Sequence, residues 1–210
     1  MAQLLRVDAS IRRSASVSRA VADTFQRAWS ARHPSGVVTV NDLETDPLPY
    51  LTVDDVAVNW TPPEGRTPAQ HASAATAAGL VDELTAADVL LLAVPLYNWG
   101  TPALFKSWVD HVLNESRVAG RRGAFAGLPT VVVSARGGAY GVGAPREGWD
   151  HAVPYLRHVL GEQLGFDLHE VLVEFTLSDV DPGLAPFQED ARRSLAEAHV
   201  AAERLAKELG

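Results

Sequence analysis

The run Asp88-Val89-Leu90-Leu91-Leu92-Ala93-Val94 is apolar at every position after its first residue. Side chains of a β-strand alternate between two faces, so a strand with no polar face must be covered on both. Even extended to Leu96, the run is far short of the roughly 20 residues that cross a bilayer. A central strand with helices packed above and below is therefore expected, and the flanking sequence supplies its neighbours. Leu4 to Asp8 reads as a first strand; a serine-rich turn follows, and from about Ser16 apolar residues fall at Val17, Val21 and Phe25 with helical spacing. Val37-Val38-Thr39-Val40, bounded by Pro34, Gly36 and Asn41, is a second strand.

An alanine-rich helix from Ala69 to Leu84 precedes the central run. After it, Thr101-Pro102 offers a cap and a first-turn proline to a helix in which Leu104, Phe105, Trp108, Val109 and Val112 recur through to about Glu115. Thr130 to Ser134 gives a fourth strand, Trp149 to Leu164 a helix with Pro154 near its start, Leu168 to Phe175 a fifth strand, and Phe187 to Leu209 a closing helix. Strands alternating with helices predict a parallel sheet with right-handed crossovers: a doubly wound, three-layer α/β/α fold with five strands in the order 2-1-3-4-5. The connection from Asn41 to Pro68 holds Pro47, Pro49, Pro62 and Pro63, with Tyr50 and Trp60. It is long for a structureless link, so a functional loop containing a short helix is expected there.

Composition removes several classes of function. A chain of 210 residues fits one domain, taken as residues 1–210, and 47% hydrophobic with 21% charged residues excludes wholesale disorder. Formal charge of −8 disfavours a nucleic-acid partner. With no cysteine there is no disulfide, zinc ribbon, iron–sulfur cluster or thiol nucleophile. The 7 histidines are scattered without a His-Glu-x-x-His pattern, so no metal is predicted. Gly-x-Ser-x-Gly is absent too, which argues against a hydrolase nucleophile elbow. Met1 to Asp8 has neither a basic start nor a long apolar core and reads as the start of a fold; a cytoplasmic location without membrane attachment is the expectation.

In an open α/β sheet, ligands bind beyond the carboxyl ends of the strands where the order switches. After the first strand come Ser10, Arg12, Arg13, Ser14, Ser16, Val17 and Ser18. Hydroxyls and free helix-start N–H groups can surround a phosphate there, with Arg12 or Arg13 assisting; alternatively the serines simply cap a helix. No P-loop and no Gly-x-Gly-x-x-Gly follows that strand, which argues against a nucleotide-hydrolysing site and a dinucleotide site and keeps a mononucleotide attractive. After the third strand, Pro95-Leu96-Tyr97-Asn98-Trp99-Gly100-Thr101-Pro102 brings two aromatics and an amide to where a planar ring would lie, although Tyr97 and Trp99 also suit a core or an interface. After the fourth, Ser134-Ala135-Arg136-Gly137-Gly138-Ala139-Tyr140 lets backbone N–H donors approach a ligand closely, or is an ordinary glycine-rich loop.

These segments, with Leu104-Phe105-Lys106-Ser107-Trp108-Val109-Asp110, resemble the FMN-dependent NADH azoreductases, flavodoxin-like quinone and azo-dye reductases, over almost the whole chain. The resemblance implies a flavodoxin-like fold and a homodimer with FMN at the dimer interface. It implies that Ser10, Ser16, Val17 and Ser18 hold the phosphate, that Leu96, Tyr97, Asn98 and Trp99 run along the ring, and that Ala135, Arg136, Gly137 and Gly138 meet its polar edge. Many members carry Met and Phe where this chain has Leu96 and Trp99, a departure that reshapes the substrate pocket. Trp60 and Tyr140 are candidates for the wall of that pocket, and Tyr140 to Trp149 has no further assigned role.

The implied chemistry belongs to the flavin: a hydride from NADH or NADPH, then electrons passed to a quinone or an aromatic azo compound in ping-pong fashion, with no protein acid or nucleophile required. Asn98 is expected to orient the ring and Trp99 to give it an apolar neighbour. No ribose-reading motif separates NADH from NADPH. Two alternatives share the flavin site: a flavodoxin-like electron carrier, which the acidic charge permits, and a redox-tailoring enzyme for a particular aromatic metabolite. The apolar helix with Phe105, Trp108 and Val112 favours a permanent dimer interface over the carrier.

Overall fold

A computed structural model describes residues 1–209. Five parallel strands, β1 (Gln3–Asp8), β2 (Val37–Asp42), β3 (Val89–Ala93), β4 (Pro129–Ala135) and β5 (Asp167–Val173), form one sheet in the order β2-β1-β3-β4-β5. Every residue of β3 is buried, as a strand without a polar face requires. Leu90 and Leu92 face a layer made by α3 (Pro68–Ala86), α4 (Ala103–Asn114) and α5 (Ala152–Leu156). Val89, Leu91 and Ala93 face α1 (Val17–Arg32) and α6 (Gln188–Glu208). The connection after β2 contains the expected short helix, α2 (Val53–Ala57), and a 3₁₀ turn at Pro63–Gly65.

Three expectations are corrected. Phe105, Trp108 and Val112 are fully buried in the layer between α4 and the sheet, with Phe105 and Trp108 stacked at 5.5 Å, so the apolar stripe of α4 is core and offers no interface. The helix expected from Trp149 begins at Ala152 and, from Arg157 to Leu164, is wound as a π-helix. Pro154 fits because it lies in the first turn, where a backbone N–H has no helical partner to lose. Gly165 ends it in the left-handed region (φ 85°), and an added Cβ would lie 2.9 Å from the Cα of Gly123. Finally, β5 stops at Val173; Phe175 turns out of the sheet at φ 58° and stacks on Phe187 at 5.0 Å.

β1 carries two charged residues into the layer facing α1. Arg6 and Asp8 alternate with Leu4 on that side and are 6% and 3% exposed. The Arg6 guanidinium donates to both Asp8 oxygens at 2.9 Å and to Asp23 of α1 at 2.6 Å. Each charge is thus compensated where water cannot reach.

Candidate functional site

The loops after β1, β3 and β4 meet at the carboxyl edge of the sheet around a cleft of about 460 Å³, its open mouth included. Ser10, Arg12, Ser16, Val17 and Ser18 line it from the first loop, Pro95, Leu96 and Tyr97 from the second, and Ala135 and Gly137 from the third. Hydrogen bonds tie these walls together. The Ser10 and Tyr97 hydroxyls lie 3.2 Å apart, and the Leu96 N–H donates to the Ala135 carbonyl at 2.9 Å.

The first loop is a phosphate-type cradle in its chemistry. Ser16 caps α1, its hydroxyl accepting from the Arg19 N–H, and lies 3.2 Å from the Ser18 hydroxyl. Ser10, Ser16 and Ser18 are each at most 5% exposed, so three hydroxyls and the first turn of α1 face one small volume. Of the two arginines, Arg13 is held by Glu44, donating to both its carboxylate oxygens at 2.6 and 3.0 Å. Arg12 lines the cleft and forms no ion pair among the described residues.

Behind this loop stands Arg19. It donates to the Ser10 carbonyl at 2.8 Å, to both oxygens of Asp42 at 2.6 Å, and to Asp8 at 3.2 Å. The Arg19 hydrogen bond is the largest influence on the Asp42 carboxyl, followed by burial acting in the opposite sense, and the net result holds it at about 2. The loop that carries Ser10 is therefore pinned to the ends of both β1 and β2.

Along the second loop, Tyr97 and Gly100 exchange two backbone hydrogen bonds of 3.0 Å across Asn98 and Trp99, whose φ angles are 47° and 65°. Two successive left-handed residues make a tight hairpin turn that usually takes Asn-Gly. Asn98 and Trp99 are exposed at its tip and do not line the cleft of their own chain. The third loop is covered from outside by residues after β5: Thr176 N–H and hydroxyl both donate to the Arg136 carbonyl, at 3.1 and 3.0 Å, and Leu177 N–H donates to that of Gly137 at 3.3 Å. An added Cβ on Gly137 would meet Leu177 Cδ1 at 2.7 Å. Thr176 and Leu177 line the cleft and were not among the expected residues. Their signal is their place directly beyond the carboxyl end of the fifth strand.

Of the other expected residues, Arg136 lies beneath the surface, 3% exposed, and Gly138 accepts from the Phe175 N–H at 3.4 Å. The Tyr140 ring is 6.0 Å from the Arg136 guanidinium carbon, outside the cleft. Trp60 is 77% exposed and is likewise no part of this cleft; its neighbour Asn59 is bonded to Asn114 at the end of α4. Among the described residues no cluster of His, Cys, Asp and Glu is arranged to hold a metal, and no helix is long and apolar enough to cross a membrane.

A family model for the flavodoxin-like fold matches residues 2–200. An FMN-dependent NADH:quinone oxidoreductase of Frankia alni is 43% identical over 199 residues, which cover 93% of this chain and 94% of that protein. One of Streptomyces avermitilis is 38% identical over 211 residues, covering 100% of this chain and 97% of that protein. Among solved structures, an azoreductase from Bacillus anthracis superposes with a TM-score of 0.84 at 22% identity, with 100% of each chain covered. An FMN-dependent NADH-azoreductase of the same species, solved in complex with FMN, gives 0.76 at 19% identity over 98% of this chain and 100% of that one. At such identities the structural likeness speaks for the fold.

Proposed function

The chain belongs to the flavodoxin-like family of FMN-dependent NADH:quinone oxidoreductases and azoreductases, and from that premise we propose that its cleft binds FMN and that it reduces quinones and aromatic azo compounds with NADH or NADPH. The observation that carries this reading is the junction of three loops at one cleft, with buried hydroxyls at one end and backbone of the glycine-rich loop at the other. The residues fit the group: Ser10, Ser16 and Ser18 with the first-turn N–H groups at Val17 suit a phosphate, and Arg12 adds an uncommitted positive charge. Leu96 and Tyr97, which line the cleft, suit one side of the ring, and Ala135 and Gly137 bring the backbone of the third loop to its polar edge.

Bound FMN supplies hydride acceptance from the nicotinamide and electron delivery to the acceptor. The chain's own contribution is positioning. The three loops would hold the cofactor in the cleft, leave its open mouth to the two substrates in turn, and offer backbone N–H donors of the third loop to negative charge on the reduced ring. Residues 1–210 act as one such domain, in the cytoplasm, where the reduced nicotinamides are supplied.

The enzyme works as a homodimer. Supporting this are Tyr50, Val53 and Trp60, each at least 74% exposed on the connection between β2 and α3. Apolar side chains that stand so far out of their own chain suit a second copy, and Trp60 then serves the pocket of the partner. Anaerobic titration tests the reading: purified protein loaded with FMN should be bleached by NADH or NADPH and recover its colour on adding a quinone, faster than on adding an azo dye. FMN that stays free, or stays oxidised under excess nicotinamide, refutes it. Sedimentation at monomer mass refutes the dimer alone.

A further inference from the structure

Segment 149–151 touches both the second and the third loop, and its centre is an acid. Asp150 Oδ2 pairs with Arg136 Nη1 at 2.8 Å, while Asp150 Oδ1 accepts from the Ala152 and Val153 N–H groups at 2.9 and 3.0 Å. The neighbours on either side reach the second loop. The His151 N–H donates to the Trp99 carbonyl at 2.9 Å, and the Trp149 ring meets the Trp99 ring edge-on, 5.4 Å between centroids.

Two features show that this contact is under demand. Arg136 has a side chain 4% exposed, Asp150 is its carboxylate partner, and its Nε and Nη2 find no hydrogen-bond partner among the described residues. A buried guanidinium with one compensating charge cannot keep its place when that charge is removed. Trp99, for its part, holds φ 65°, a left-handed conformation that a bulky L-residue keeps only where its surroundings impose it. The segment supplies a hydrogen bond and a ring contact at that residue.

We propose that Asp150 is a positioning residue for the flavin ring: by pairing with Arg136 and capping α5 it holds residues 149–151 against the Trp99 turn, and so fixes where the Asn98–Trp99 tip stands relative to the loop at 135–138. The inference rests on the FMN reading above. Asp150 touches neither cofactor nor substrate; it acts through Arg136 and Trp99.

The test uses apoprotein titrated with FMN, reading flavin fluorescence for affinity and visible circular dichroism for the ring's surroundings. Asp150→Asn keeps an oxygen to cap α5 and loses the charge. It is expected to fold, to bind FMN about tenfold more weakly, and to change the visible dichroism of the bound flavin. Asp150→Ala should do the same with a lower melting temperature. Thr67→Ala, which removes the cap of α3 instead, should lower the melting temperature and leave the flavin signals at parental values. Parental affinity and dichroism in Asp150→Asn overturn the positioning role while FMN binding stands. A parent chain that takes up no FMN overturns the cofactor reading and this proposal with it.

Discussion

Replacing Asp42 by Asn separates the charge of the network behind the first loop from its shape. In the native chain the carboxyl is depressed from 3.8 to about 2, chiefly by the two Arg19 hydrogen bonds of 2.6 Å, against the opposing effect of burial and with help from the Glu44 N–H. Each pKa unit corresponds to about 1.4 kcal/mol, so the full depression is worth a little over 2 kcal/mol. The side chain is 29% exposed, and solvent screening brings this to about 1 to 2 kcal/mol. Because the folded-state pKa is the lower one, this stability is complete above about pH 4 and is lost as the pH falls through about 2. Urea unfolding of the native chain and Asp42→Asn, without cofactor, should therefore differ by about 1 to 2 kcal/mol at neutral pH. The gap should close on acidification through that window. The variant should also bind FMN more weakly, because Arg19 then holds the Ser10 carbonyl less firmly. A gap that is the same at neutral pH and at about pH 2 to 3, or absent at both, would refute the reasoning.

Other outcomes follow from single contacts. Ser16→Ala removes the α1 cap and one hydroxyl of the cleft, and should cost about 1 kcal/mol in denaturation of the apoprotein together with a clear loss of FMN affinity; loss of stability with unchanged affinity would leave Ser16 a cap only. Trp108→Ala should cost about 3 to 5 kcal/mol and leave subunit association unchanged in sedimentation, whereas dissociation of a still-folded chain would return that side chain to an interface. Gly137→Ala drives a methyl against Leu177, which lines the cleft, and should weaken FMN binding in a fluorescence titration while the melting temperature hardly moves; parental affinity would show that this packing does not shape the cleft. Trp99→Ala should shift the preference between quinone and azo acceptors in steady-state rates, and a variant that keeps both preference and FMN affinity would remove Trp99 from the pocket.

Much of the architecture was legible because it is written in local patterns. The unbroken run at β3 demands two covering layers, and the alternation around it leaves few topologies; the strand order and the convergence of Ser10, Tyr97 and Gly137 follow from that. What was not legible depends on partners distant in the chain. Phe105, Trp108 and Val112 form an apolar stripe that looks the same whether it meets a sheet or a second subunit, and only the packing under α4 decides. Trp149 to His151 read as the start of a helix, and the bond of Asp150 to Arg136 is invisible in sequence. Thr176 and Leu177 reach the cleft only because Phe175 leaves the sheet with a positive φ, which no propensity for phenylalanine foretells.

The pairing of Arg6 and Asp8 with α1 has a consequence for the order of assembly. Arg6 and Asp8 neutralise each other within β1, but their remaining hydrogen-bonding sites are filled by Asp23 and Arg19 of α1, so sealing the pair without that helix leaves buried charges incompletely bonded, at a cost of several kcal/mol. β1 must stay wet until α1 docks, and the two then close in one cooperative step. Pulse-labelled hydrogen exchange that found β1 amides protected earlier than those of α1 would contradict this sequence of events.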